Sequence, residues 1–126
     1  MLLVDDSEAT RFSLRLLFEE LGFIVESAKS GSAALELAQK NHFDLASFDI
    51  IMEEMDGIEC SRKIKGIDPS CECLFISILA RDERVTSWYN EEMGAVRFIP
   101  KPTSIEEVRN RLLKIMPLLT TQTPAQ

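Results

Sequence analysis

The sequence predicts an α/β fold, a doubly wound sandwich on a mostly parallel sheet. Three observations predict it. Short apolar runs alternate with helix-period segments five times along the chain, the pattern of a parallel sheet with helices on both faces. Helix punctuation falls at the boundaries, with Ser7 and Ser104 where helices start and Gly22 and Gly94 where they stop. The chain has 126 residues, 45% of them hydrophobic and 28% charged, which suits one soluble domain with its own core. Right-handed crossovers complete the doubly wound arrangement.

Each element has its own justification. "MLLVDD", residues 1–6, is a short apolar run ending in acids. Residues 7–22 form a helix, with Phe12, Leu14, Leu16, Leu17 and Leu21 read as one broad apolar face. "FIVESA", 23–28, reads as a strand broken by Ser30-Gly31, and 32–41 as a helix. "FDLASFD", 43–49, is the third strand. A helix follows over 56–68, with Ile58 and Ile64 inward. "CECLFISILA", 71–80, is the fourth strand and 82–94 the fourth helix. "AVRFIP", 95–100, is the fifth strand and 104–116 the fifth helix. The expected domain covers 1–118, and 119–126 is a polar tail or linker. The clipped first strand and this tail suit a piece of a longer protein, and equally a free-standing domain.

Bulk composition excludes some functions. Twenty-one acids against fourteen bases give a net charge of −7, so this domain is not expected to grip nucleic acid. No signal peptide or membrane-length apolar run is visible. Three cysteines do not make a full disulfide framework, and a reducing cytoplasm is the expected compartment. Neither a GxxxxGK[ST] loop nor a GxGxxG fingerprint occurs.

The chemistry sits at the strand ends. Asp5 and Asp6 end the first strand and Asp49 ends the third. If those strands are neighbours, three carboxylates converge at one edge of the sheet, where doubly wound folds place their sites. Like charges that close repel, and a hard divalent cation such as Mg2+, which takes oxygen ligands, resolves the repulsion. Lys101 ends the fifth strand and adds a cation for the same edge. Carboxylates, a metal and a lysine together suit phosphoryl transfer.

These residues resemble a known family. "VDDS", "DIIMEEMDG" around Asp49, "EMGAVRFIPKP" with Lys101-Pro102, and the five-fold order resemble the receiver domain of two-component response regulators. The resemblance runs from Val4 to about Ile115, and Lys101 lies 52 residues after Asp49, as in the family. It implies a flavodoxin-like (βα)5 sandwich with five parallel strands in the order 2-1-3-4-5. Asp49 would accept a phosphoryl group from a sensor histidine kinase or phosphotransfer protein. Asp6 and Asp49 would ligate Mg2+, with Asp5 helping through water and the backbone carbonyl of Ile51 completing the set. Lys101 would bind a phosphate oxygen, and the Lys101-Pro102 bond would be cis. The domain would catalyse only its own phosphoryl transfer and dephosphorylation. The fourth helix, fifth strand and fifth helix would face an effector domain or a second copy.

Two positions depart from that pattern. The family carries Thr or Ser at the end of the fourth strand, where its hydroxyl bonds the phosphoryl group. Here that position is Leu79. Ser77 lies two residues back, more than about 6 Å away along a strand. Phe98 stands at the family's switch aromatic, three residues before Lys101. The pair Leu79 and Phe98 therefore predicts weakened coupling between Asp49 and the output face. Glu53 replaces the family's usual proline and puts a carboxylate near the metal site. A pseudo-receiver, binding partners without phosphorylation, is the competing reading. An aspartyl phosphatase would carry a second aspartate two residues after the nucleophile, where this chain has Ile51.

The remaining candidates read as structural. Cys71 and Cys73 share one strand face, and with Cys60 they are expected to be reduced thiols rather than soft-metal ligands. His42 reads as a solvated loop residue. Trp88 and Tyr89, with Val85 and Met93, follow helical spacing and suit core packing, or an exposed anchor on the partner face.

Overall fold

The structure, a computed structural model, describes residues 1–77, 98–100 and 104–120. The helix predicted over 82–94, Leu79, Trp88, Tyr89, Lys101, Pro102 and the tail beyond 120 lie outside the described residues. Strands β1 (Leu2–Val4), β2 (Glu26–Ala28), β3 (Leu45–Phe48), β4 (Glu72–Ser77) and β5 (Phe98–Pro100) form one parallel sheet in the order β2-β1-β3-β4-β5. The helices are α1 (Glu8–Glu20), α2 (Gly31–Lys40), α3 (Gly57–Ile67) and α4 (Ile105–Thr120). The last is the fifth helix of the sequence reading. Fold class and strand order are those the sequence predicts.

Strand alternation divides the core in two. Leu2, Val4, Ala46, Phe48, Cys73 and Phe75 pack on the side of α2 and α3, with Ala34, Ala38, Cys60 and Ile64. Leu3, Leu45, Leu74, Ile76 and Ile99 pack on the other side, with Leu14, Leu17 and Phe18 of α1 and Val108 and Leu112 of α4. Successive strand residues face opposite layers, so a run such as "CLFI" serves both. Each large side chain so buried contributes about 1.5–3 kcal/mol before conformational entropy is set against it.

Capping follows the sequence closely. Ser7 accepts from Thr10 N–H at 3.3 Å, Ser30 from Ala33 at 3.1 Å, Asp56 from Glu59 at 2.8 Å and Ser104 from Glu107 at 3.1 Å. Gly22, at φ 100°, ends α1 in the left-handed region that favours glycine.

Three expectations are corrected. Phe12 is 65% and Leu16 53% exposed. The buried face of α1 is Leu14, Leu17 and Phe18, with Leu21 packed beside it. At about 100° per residue, positions 12 and 16 fall on the opposite side of the helix. The second strand is shorter than 23–28, because Phe23 belongs to the end of α1. Its N–H bonds Phe18 O at 3.0 Å, and its ring meets the Phe18 ring edge-on, centroids 6.1 Å apart. α4 continues past Met116 through Pro117 to Thr120, although proline removes a backbone donor there.

Candidate functional site

Sheet register builds the site. Val4 of β1 pairs with Phe48 of β3, so the next residues, Asp5 and Asp49, emerge side by side. The Asp49 N–H donates to Val4 O at 3.0 Å and closes the ladder. The Phe48 and Phe75 rings stack beneath it, centroids 5.7 Å apart. After β1 the chain turns to β2 on one side and reaches β3 on the other. This is the reversal point at which a doubly wound sheet opens a crevice.

Asp5, Asp6 and Asp49 converge there. One carboxylate oxygen from each lies within 4.8 Å of the others. Asp5 is buried, Asp49 half-buried and Asp6 exposed. The Asp5 carboxylate accepts from Ser7 N–H at 2.9 Å, and Asp49 Oδ1 accepts from Ile51 N–H at 3.3 Å. An all-oxygen, all-anionic donor set graded from core to solvent fits a hard divalent cation that keeps some water.

The loop after Asp49 is held from several sides. Gly57 N–H bonds Ile50 O at 2.8 Å. A Cβ on Gly57 would stand 2.1 Å from the Asp49 carbonyl oxygen, so only glycine lets α3 start this close to the strand end. Met52 and Met55 pack against the core. Glu54 takes a left-handed φ of 65°, and its carboxylate accepts from Ser32 Oγ at 3.4 Å. Strain of that kind costs about 1 kcal/mol or more. Glu53 is exposed, and the Ile51 side chain is 53% exposed beside the site.

The structure therefore brings together three of the predicted site residues and sets Ile51 next to them. Phe98 starts β5 opposite Phe75; Leu79, its partner in the switch, and Lys101 lie outside the described residues. Sequence reasoning missed Arg11. Its Nη1 donates to the Asp5 carbonyl at 2.7 Å. The signal was present as a cation five residues after the acidic pair, one helical turn beyond the Ser7 cap.

The cysteines are structural. All three are buried and free. Burial pushes the Cys60 thiol up to about 11. A hydrogen bond with Cys73, then burial, raises Cys71 further. Thiols so protonated are poor metal ligands. His42 is not merely solvated. It is half-exposed but stands between Asp44, 2.8 Å from Nε2, and Asp68, which meets Nδ1.

Known proteins share this fold and much of this sequence. The family profile described as "Response regulator receiver domain" matches residues 1–113. The chain belongs to the response regulator receiver domain family. It is 30% identical over 118 residues to sporulation initiation phosphotransferase F of Bacillus subtilis, covering 94% of each protein. It is 32% identical to response regulator MprA of a Mycobacterium species, covering 92% of this chain and 50% of that protein. Against such relatives this receiver domain spans about half their length. The CheX–CheY–BeF3–Mg2+ complex of Borrelia burgdorferi contains a structure similar to it at TM-score 0.76 and 31% identity, covering 91% of this chain and 87% of that one. Receiver domains generally bind Mg2+ at an acidic pocket, and the structure here has a cluster of three aspartates.

Proposed function

We propose that this receiver domain, over about residues 1–118, is a Mg2+-dependent phosphoacceptor with Asp49 as the acceptor. The observation that carries the reading is the approach of Asp5, Asp6 and Asp49 oxygens to within 4.8 Å at the reversal point of the sheet. Asp49 is half-buried at a strand end, with a backbone amide on Oδ1. A carboxylate oxygen of Asp49 attacks the phosphorus of a phosphohistidine on a sensor histidine kinase or phosphotransfer protein. The P–O bond forms as the P–N bond breaks, and the imidazole leaves and takes up a proton. Asp6, Asp49 and the Ile51 carbonyl hold Mg2+, with Asp5 assisting through water. Bound there, the cation neutralises charge on the phosphoryl oxygens. Lys101 holds a phosphoryl oxygen. Buried Asp5, anchored on Ser7, keeps the metal side of the site in place.

Leu79 supports a finer point. Without a hydroxyl, the phosphoryl group loses one hydrogen bond, worth about 1.5–3 kcal/mol when charged. In the family the switch aromatic turns inward as that hydroxyl moves toward the phosphate; for Phe98 that turn is less favoured, and output is weakened more than phosphorylation. Leu79 and Glu53 also favour the second reading, a pseudo-receiver that binds partners regardless of phosphorylation. The fourth helix, β5 and α4 form the proposed face for an effector domain or a second copy. A net charge of −7 argues against direct nucleic-acid contact. Among the described residues no helix is long and apolar enough to cross a membrane, and the proposed location is the cytoplasm.

The test is intact mass after incubation with Mg2+ and a small acyl-phosphate donor, beside Asp49→Asn. The expected result is one added phosphoryl group in the parent and none in the variant. No addition to folded parent, repeated with candidate kinases as donors, selects the pseudo-receiver.

A further inference from the structure

We propose that Arg11 is a positioning residue for the acidic site, fixing through the main chain the direction in which Asp6 presents its carboxylate to a divalent cation. The inference rests on the reading of Asp6 and Asp49 as ligands of the cation, with Asp5 assisting through water.

The last sheet bond of β1 is the one Val4 O accepts from Asp49 N–H. Beyond it, Asp5 N–H donates to Ala28 O at 3.2 Å, and the Asp5 carbonyl accepts from Arg11 Nη1 at 2.7 Å. That carbonyl belongs to the peptide joining Asp5 to Asp6. A peptide unit is planar and turns as one body. With Asp5 N–H held on Ala28, the direction of this carbonyl fixes ψ of Asp5 and with it the place from which the Asp6 side chain starts. The Asp5 carboxylate has a separate tether, Ser7 N–H at 2.9 Å, and is buried. Asp6 is exposed, so its direction depends more on its backbone. The guanidinium thus acts on Asp6 rather than on Asp5.

Arginine suits this task. Its base is the first turn of α1, where Arg11 N–H bonds Ser7 O at 2.9 Å. The same helix start therefore carries both tethers, one to the Asp5 carboxylate and one to the Asp5 carbonyl. A charged planar donor makes a short, directional bond to a carbonyl. Positioning and charge also predict opposite results. As a mere neighbouring cation, Arg11 repels a metal ion, and removing it tightens binding. As a positioning residue, its removal weakens binding. Groups that orient metal ligands typically cost about 10–100-fold in affinity when lost.

The experiment titrates Mn2+, a hard cation with the same ligand preference, into the full chain and follows the free ion by electron paramagnetic resonance. The parent is compared with Arg11→Met, which keeps the stem, and Arg11→Lys, which keeps the charge. Thermal melts without metal check folding. Expected is about tenfold weaker binding in Arg11→Met, with Arg11→Lys between it and the parent. Equal or tighter binding by folded Arg11→Met overturns the proposal. If Arg11→Met does not fold, Arg11→Lys decides: weaker binding upholds the proposal and parental binding overturns it. A parent that binds no Mn2+ overturns the reading of the site itself, a different failure.

Discussion

At the carboxyl ends of β1 and β3 three carboxylates meet one another, whereas at the amino ends of β3 and β4 a histidine stands between two carboxylates. The acidic pole gathers the negative charge of three carboxylates, Asp5, Asp6 and Asp49. The opposite pole balances it: His42 bridges Asp44, just before β3, and Asp68, the residue that ends α3. Asp68 also accepts from Ser70 N–H at 3.1 Å and Ser70 Oγ at 2.7 Å. The loop backbones are joined there too, with Glu72 N–H on Asp44 O at 2.9 Å. One pole is stabilised by the fold itself and is structural. The other is the one at which the proposed function puts a cation. Both poles are acid-rich, so acid content alone does not separate a site from a staple; a side chain bonded between two carboxylates, as His42 is, marks the staple.

The largest expected effect breaks the acidic pole by geometry. Gly57→Ala places a methyl group 2.1 Å from the Asp49 carbonyl oxygen, and either α3 or the end of β3 must move. The expected loss is about 3 kcal/mol, at the upper end for overpacking, read as a lower denaturation midpoint together with loss of Mg2+-induced stabilisation.

Neutralising one acid at each pole sharpens the comparison. Asp6→Asn removes a like charge, so the metal-free domain is expected to gain about 0.5 kcal/mol, the scale of exposed charge pairs. Its stabilisation by Mg2+ shrinks at the same time. Asp68→Asn removes a charge that the fold uses, and is expected to lose about 1 kcal/mol while the Mg2+ response stays parental. Melting curves with Mg2+ and with EDTA read all four values. Equal signs for the two variants would erase the distinction between the poles.

The smallest effect depends on pH. Hydrogen bonds to Asp44 and then Asp68 hold the His42 imidazole above its ordinary value. A raised folded value means that the contribution is fully present below the ordinary value of about 6.5 and is lost as pH rises through the folded value. Asp68 is held below the ordinary carboxylate range, first by the Ser70 hydroxyl and, after a smaller opposing effect of burial, by His42. Its contribution is present above about 3.9 and is lost as pH falls through the lowered value. The bridge is therefore strongest from about pH 4 to 6.5. His42→Gln is expected to cost a few tenths of a kcal/mol there, because the ring is half-exposed and screened, and nothing at pH 9. A cost that does not change with pH would mean that His42 acts by packing alone.

Much of this was legible in the sequence because it is local. Ser7 and Ser104 cap helices through hydrogen bonds three residues long. Gly22 ends a helix by its own backbone freedom. Strand-end acids are visible wherever an apolar run stops. The face of α1 was misread because Phe12 and Leu16 are apolar yet lie on the outer side, and composition does not say which of two faces meets the sheet. Phe23 was misread because a β-favouring residue served a helix end instead.

The sequence by itself determined the alternation of elements, their caps, the family, and the presence of Asp5, Asp6 and Asp49 at strand ends. Only the tertiary structure decided that these acids form one cluster. Residue 5 and residue 49 are joined by no short-range pattern. Their approach comes from the register that pairs Val4 with Phe48, and that register is set by packing two helix layers against the sheet. The same packing makes Gly57 obligatory. Periodicity and capping act over a few residues, and so they can be read from the chain. Contacts across forty residues exist only once the sheet has closed and its buried faces have chosen their partners.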